Sequence, residues 1–163
     1  MYIDGDACPV KDIVYKITER FQLVTIIVSA SPIKVPLRVK NVVVKNGFNA
    51  ADDWIAERIE KNDLLATADI ELADRALKKG AFAVDFKGGV FTDDNICNYK
   101  ASRDLMSSLR ETQFDFEKKL KSRTTKNSSE FANEFNNVIQ KIIRKLEKEN
   151  NNKLIDEKRN SNQ

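Results

Sequence analysis

A chain of 163 residues has the length of one domain built on a single hydrophobic core. Hydrophobic residues make up 41% and charged residues 33%, which excludes a wholly disordered polymer, and no apolar run approaches the roughly 20 residues that a helical bilayer crossing needs. The net charge is +3; two cysteines offer no disulfide framework and the absence of histidine excludes imidazole chemistry, so any metal would need hard oxygen ligands, which favour Mg²⁺ or Mn²⁺.

The chain opens on Met1-Tyr2-Ile3-Asp4 without a basic or signal-type apolar stretch, and the expectation is a cytoplasmic protein with no membrane partner. Tyr2-Ile3 reads as a first buried strand, followed at once by Asp4-Gly5-Asp6. Pro9 suits the first position of a helix whose apolar face is Ile13, Val14, Ile17 and Phe21. Val24 to Val28 is a second strand. Residues 29 to 36, with two prolines and two serines, form a loop that carries Lys34 and leads to Arg38. Val42 to Val44 is a third strand. Asp52 and Asp53 open a helix through Trp54, Ile55 and Ile59, and Leu64 to Ala66 is a fourth strand with Asp69 just beyond it. Leu72, Ala73, Ala76 and Leu77 give a third helix that stops at Gly80, and Ala81 to Val84 is a fifth strand. After Gly88-Gly89 the pattern is helical from Asp94 to Glu111, with Leu105, Met106 and Leu109 on one side.

Strands that lack strict alternation and take turns with helices predict right-handed crossovers and a parallel sheet covered on both faces, a three-layer α/β domain. We place that domain at residues 1–117 and a basic helical extension with a frayed tail at 118–163. The first segment carries 16 Lys and Arg against 19 Asp and Glu, the second 12 against 6. A basic tail suits the phosphates of a nucleic acid, or is simply a solvated helix. Within it Phe131, Phe135, Val138, Ile142 and Leu146 form one apolar stripe, which must dock on the domain or on a second copy in a homodimer. Past Glu149 little remains to bury, and fraying is expected.

Aspartates recur after strands or at helix starts: Asp4 and Asp6, Asp69, and Asp93 and Asp94 after Phe91, with Asp52 and Asp53 flanking from the side. Ligands of open α/β sheets bind at the carboxyl ends of the strands, and converging carboxylates repel one another unless a divalent cation neutralises them. Such a cation lowers the pKa of a bound water and clamps phosphodiester oxygens. Asp is also a favoured helix cap, the role we assign to Asp52, Asp93 and Asp94, while Asp12, Asp63, Asp74, Asp85 and Asp104 read as ordinary surface or turn acids. The two carboxylates around Gly5 read as functional. Cys8, just before a helix, reads as a small buried hydrophobe rather than a nucleophile, since no histidine exists to serve as its base.

The stretches Y-I-D-G-D-A-C-P-V-K-D, G-F-N-A-A-D-D-W-I, D-L-L-A-T-A-D-I-E-L-A and R-D-L-M-S-S-L-R resemble the YaiI/YqxD family of uncharacterised bacterial proteins, over roughly residues 1 to 111. The resemblance implies a PIN-like domain, the fold of many metal-dependent ribonucleases. It would make Asp4, Asp6, Asp53 and Asp69 catalytic, with Asp4, Asp6, Asp52, Asp53, Asp69 and Asp94 as candidate ligands of Mg²⁺ or Mn²⁺. Lys11, Lys34 and Arg38 would then contact RNA. After Glu111 the chain departs from the family, whose members usually carry a G-P-x-x-F/Y element there; Phe114 to Ser129 contains neither glycine nor proline. Two other readings stay open. One is a phosphatase of the haloacid dehalogenase type, with Asp4 as nucleophile and Ser29 and Asp69 after later strands. The other is a non-catalytic RNA- or ribosome-binding module.

Overall fold

The computed structural model describes residues 1–45, 47, 49–112 and 125–160. Six strands form one sheet: β1 (Tyr2–Asp4), β2 (Thr25–Ser29), β3 (Val39–Val43), β4 (Leu64–Ala66), β5 (Phe82–Val84) and β6 (Val90–Phe91). The helices are α1 (Lys11–Arg20), α2 (Ala50–Arg58), α3 (Ile70–Lys78), α4 (Asp93–Thr112) and α5 (Thr125–Asn160). The strand order is β3-β2-β1-β4-β5-β6, parallel from β3 through β5, with β6 antiparallel to β5.

Each strand sends alternate side chains to opposite faces, and both faces are dry. Ile3, Ile27, Leu64, Ala66 and Val84 meet Val14 of α1 and Phe131, Phe135, Val138 and Ile139 of α5. Val28, Leu65 and Ala83 meet Ile55 and Ala56 of α2, Leu72, Ala73 and Ala76 of α3, and Ile96 of α4. This is the expected three-layer α/β arrangement, and it explains why the strands lack polar alternation. The apolar stripe of α5 is covered by the chain's own α1 and sheet, with Phe131 and Phe135 fully buried.

Several boundaries differ from the sequence expectation. Helix α1 begins at Lys11, so Pro9 lies in the preceding turn. Val24 is 79% exposed and stands before β2. Strand β3 starts at Val39 and ends at Val43, while β6 is an edge strand of two residues with no counterpart in the predicted set. Leu105 is 62% exposed and belongs to no apolar face. The helix through Glu149 does not stop there but runs to Asn160. The departure of Phe114 to Ser129 from the family pattern lies mostly outside the described residues, as do the side chains of Met106 and Leu109.

The chain runs β1, β2, β3 to one edge and then returns through α2 to place β4 on the other side of β1. The order therefore reverses between β1 and β4, and a crevice opens above their carboxyl ends. Between β2 and β3 no helix intervenes. Residues 30–38 make the return, pinned where Ser29 Oγ donates to the Ser31 carbonyl (2.7 Å) and Asn41 Nδ2 to the Ile33 carbonyl (2.9 Å). Ile33 and Val35 pack on the α1 side of the core.

Candidate functional site

Strand β1 ends in Asp4, and the Gly5 N–H then donates to the Val28 carbonyl of β2 at 2.7 Å. A Cβ on residue 5 would meet that carbonyl oxygen at 2.7 Å and Ile27 Cγ1 at 2.8 Å, so only glycine lets the chain lie this close to β2. The tight passage sets Asp4 and Asp6 at the same mouth. Asp6 Oδ2 accepts from the Ala30 N–H (2.8 Å), which ties the end of β1 to the loop leaving β2.

Asp4 is buried, and its Oδ2 accepts from the Thr67 hydroxyl at 3.0 Å. The same Thr67 oxygen accepts from the Asp69 N–H at 3.0 Å, so one fully buried hydroxyl couples the end of β1 to the start of α3. Burial raises the Asp4 carboxyl above its ordinary value; the bonds from Thr67 and Ala7 oppose this, and the charges of Asp6 and Asp69 reinforce it. Asp69 is the N-cap of α3: its Oδ1 accepts from the N–H groups of Glu71 (2.7 Å) and Leu72 (2.9 Å). Capping uses Oδ1 alone, and Oδ2 takes no bond from the described residues.

Helix α2 contributes Asp52. Its carboxyl is pushed up to about 6, first by burial and then by the charges of Asp4 and Asp69, with Arg75 partly compensating. Asp4, Asp6, Asp52 and Asp69 line one open crevice of about 570 Å³. Its remaining described walls are small or neutral: Ala7, Ala30, Ala50, Ala51, Ala68, Gly47, Val44 and Asn49. No cationic side chain lines it among the described residues.

The other candidates fall elsewhere. Asp53 turns outward into an ion pair with Arg75 (2.7 Å), and Asp94 is exposed at the start of α4; neither lines the crevice. Lys11 and Lys34 do not line it either. Arg38 precedes β3 at the amino ends of the strands, where it borders a separate depression with Tyr15, Glu19 and Gln22. The assigned capping roles also shift. Helix α4 is capped by Thr92, which exchanges hydrogen bonds with Asn95, rather than by Asp93 or Asp94; α2 begins after Asn49, with Asp52 inside its first turn. Asp63 and Asp85 are turn acids as expected, accepting from backbone N–H groups. Asp74 is buried and paired with Lys78 and Lys100, both at 2.8 Å, rather than lying on the surface. Cys8 is buried. Ser29 is buried, its hydroxyl donating to the Ser31 carbonyl and lying 3.4 Å from Asn41 Oδ1, and it does not line the crevice. Sequence reasoning missed Thr67, for which the signal was its position between a strand end and Asp69.

All four crevice acids are hard oxygen donors, and their mutual repulsion is what a divalent cation relieves, so the donor chemistry fits Mg²⁺ or Mn²⁺. Among the described residues no three acidic or thiol side chains already stand as a ligand set for one ion, so a cation there would need the acids to move closer together. No helix among the described residues is long and apolar enough to cross a membrane.

Residues 2–141 match the family model described as "Uncharacterized BCR, YaiI/YqxD family". A UPF0178 protein of Parvibaculum lavamentivorans is 53% identical over 115 residues, which cover 69% of this chain and 75% of that one. UPF0178 proteins of Caulobacter sp. strain K31 and Rhodopseudomonas palustris are 50% and 47% identical, covering 68% and 69% of this chain and 74% and 72% of theirs. No solved structure matches. With the family model spanning most of its length and relatives near half identical, the chain belongs to the YaiI/YqxD family.

Proposed function

We propose that the crevice is the active site of a PIN-like nuclease that hydrolyses phosphodiester bonds with Mg²⁺ or Mn²⁺, RNA being its substrate. The observation that carries this reading is the convergence of Asp4, Asp6, Asp52 and Asp69, from three chain segments, on one open crevice at the point where strand order reverses. Burial, reinforced by the charges of neighbouring acids, raises Asp4 and Asp52 and costs the fold stability when they ionise, and a cation held by these four carboxylates would offset that cost. The bound metal supplies a water of lowered pKa and positive charge opposite the phosphate oxygens. Thr67 holds the Asp4 carboxylate in one rotamer and the α3 N-terminus against it, which fixes two of the four acids relative to each other. The small residues on the walls leave room for a chain of nucleotides and offer no side chain that reads bases, which fits cleavage with little sequence preference. Asp53 and Asp94 have no part in this reading.

The test is cleavage of a fluorophore-labelled single-stranded RNA in Mn²⁺. Cleavage is expected to vanish with EDTA, with Asp4→Asn and with Asp69→Asn. Turnover that survives chelation or either substitution refutes the proposal.

A further inference from the structure

Arg75 pairs with Asp53, Lys78 and Lys100 with Asp74, and Arg103 with Glu71, so the cations around α3 and α4 are held by acids. The second half of α5 gathers cations that no such pairing holds among the described residues. Lys141, Arg144, Lys145 and Lys148 are exposed and together line a depression of about 350 Å³ with Glu149 and Asn152. Spacings of three, one and three residues put all four on one helical face. Among the described residues, none of Lys141, Arg144 and Lys148 forms an ion pair. Lys145 stands 5.2 Å from the centre of the Phe82 ring, which fixes its stem at the start of β5.

The direction of α5 separates this face from the crevice. Glu134 packs against Gly88 in the turn after β5, so closely that a Cβ on residue 88 would meet Glu134 Cβ at 2.8 Å. Lys145 lies eleven residues further on, roughly 16 Å along the helix axis, beside the amino end of the same strand. The basic face and the acidic crevice are therefore at opposite ends of the strands.

We propose that this face is a metal-independent docking surface for the phosphate backbone of single-stranded nucleic acid. Four cations within about two helical turns, against the single acid Glu149 in the same depression, form the row of excess positive charge that a polyphosphate chain neutralises. A membrane surface fits less well, because an interfacial helix inserts its apolar face, and here Ile142 and Ile143 are packed against the core. The inference shares the nucleic-acid half of the proposed function but not its catalysis. Strand bound here would be retained near the enzyme while the crevice, which no described cation lines, engages it only through metal.

The measurement is fluorescence anisotropy of a fluorescein-labelled oligouridylate, titrated with the full chain in EDTA over a series of salt concentrations. EDTA removes metal-dependent cleavage, so failure here and failure of the nuclease reading are separate results. Each phosphate contact contributes about 0.7 to the slope of log K against log salt for a single strand, so Lys141→Gln/Arg144→Gln/Lys148→Gln should reduce the slope by about 2. Lys148→Gln alone should reduce it by about 0.7, a check that does not depend on the triple variant folding well. An unchanged slope in both variants overturns the proposal. So does a triple variant that loses binding to phosphatidylserine vesicles while holding RNA as the wild type does.

Discussion

Replacing Asp52 by asparagine should stabilise the metal-free protein, which is the reverse of what loss of a helix-start aspartate usually does. The Asp52 carboxyl is pushed from 3.8 to about 6 by burial and by the charges of Asp4 and Asp69. The folded state therefore binds the proton more tightly than the unfolded state. Its stability falls as pH rises from about 4 to about 6, and the cost is complete above that window. The displacement is worth at most about 3 kcal/mol. Asp52 is only partly buried, so solvent screening reduces this to about 1.5 kcal/mol. Against it stands the attraction of a carboxylate to the first turn of α2, about 0.5 kcal/mol. The net gain for Asp52→Asn is about 1 kcal/mol, or roughly 2–4 °C for a chain of this length. Thermal unfolding by circular dichroism in EDTA should show it at pH 7.5, and the gain should disappear at pH 3.5. With Mn²⁺ at about 100 times its Kd the order should invert, because the wild type gains about 2.7 kcal/mol and the variant less. Equal or lower stability of Asp52→Asn in EDTA at pH 7.5 would refute the claim that the fold disfavours a charged Asp52. A gain that persisted at pH 3.5 would assign it to something other than charge.

Gly5→Ala should lower stability by about 1–3 kcal/mol, since the new methyl has to displace the Val28 carbonyl or Ile27, and urea unfolding measures this directly. Thr67→Val removes the hydroxyl from Asp4 and leaves the Asp69 N–H without its acceptor, at a cost of about 1–3 kcal/mol, read from the same curves. Asp69→Ala should lose the α3 cap, about 1 kcal/mol, whereas Asp69→Asn should keep it; cleavage should be lost in both, so the pair separates folding from chemistry. Phe135→Ala should cost about 3–5 kcal/mol, because the ring is fully buried between α5 and the sheet.

Much of the sheet was legible because its parallel strands are buried on both faces, leaving runs such as Ile26-Ile27-Val28 and Leu64-Leu65-Ala66 with no polar interruption. Strand β3 was shifted because it is an edge: Lys40 and Asn41 interrupt the apolar run although both lie within the ladder. Val90-Phe91 is too short to carry a period. Arg38 lies away from the crevice for a topological reason. Since β2 and β3 are parallel, residues 30–38 must run from the carboxyl ends back to the amino ends, and the last residue before β3 is the one farthest from the crevice. The choice between Asp52 and Asp53 turns on helix phase, about 100° per residue, and α2 announces its phase poorly because Ala50, Ala51 and Ala56 blur its apolar face.

Asp69 shows why capping and ligand readings of a helix-start aspartate need not compete. The cap is made through Oδ1, with two N–H groups of α3 as donors, and those bonds fix the carboxylate plane. Oδ2 is left at the crevice, where Asp4 and Asp52 already feel the charge. Asp6 repeats the pattern, with Oδ2 on the Ala30 N–H and Oδ1 free of bonds from the described residues. In both, backbone N–H groups set the orientation through one oxygen and leave the other without a bond from the described residues, which is what the proposed ligand role requires. Asp4 and Asp52, raised by burial and by their neighbours, are the acids that would respond if the proposed cation entered.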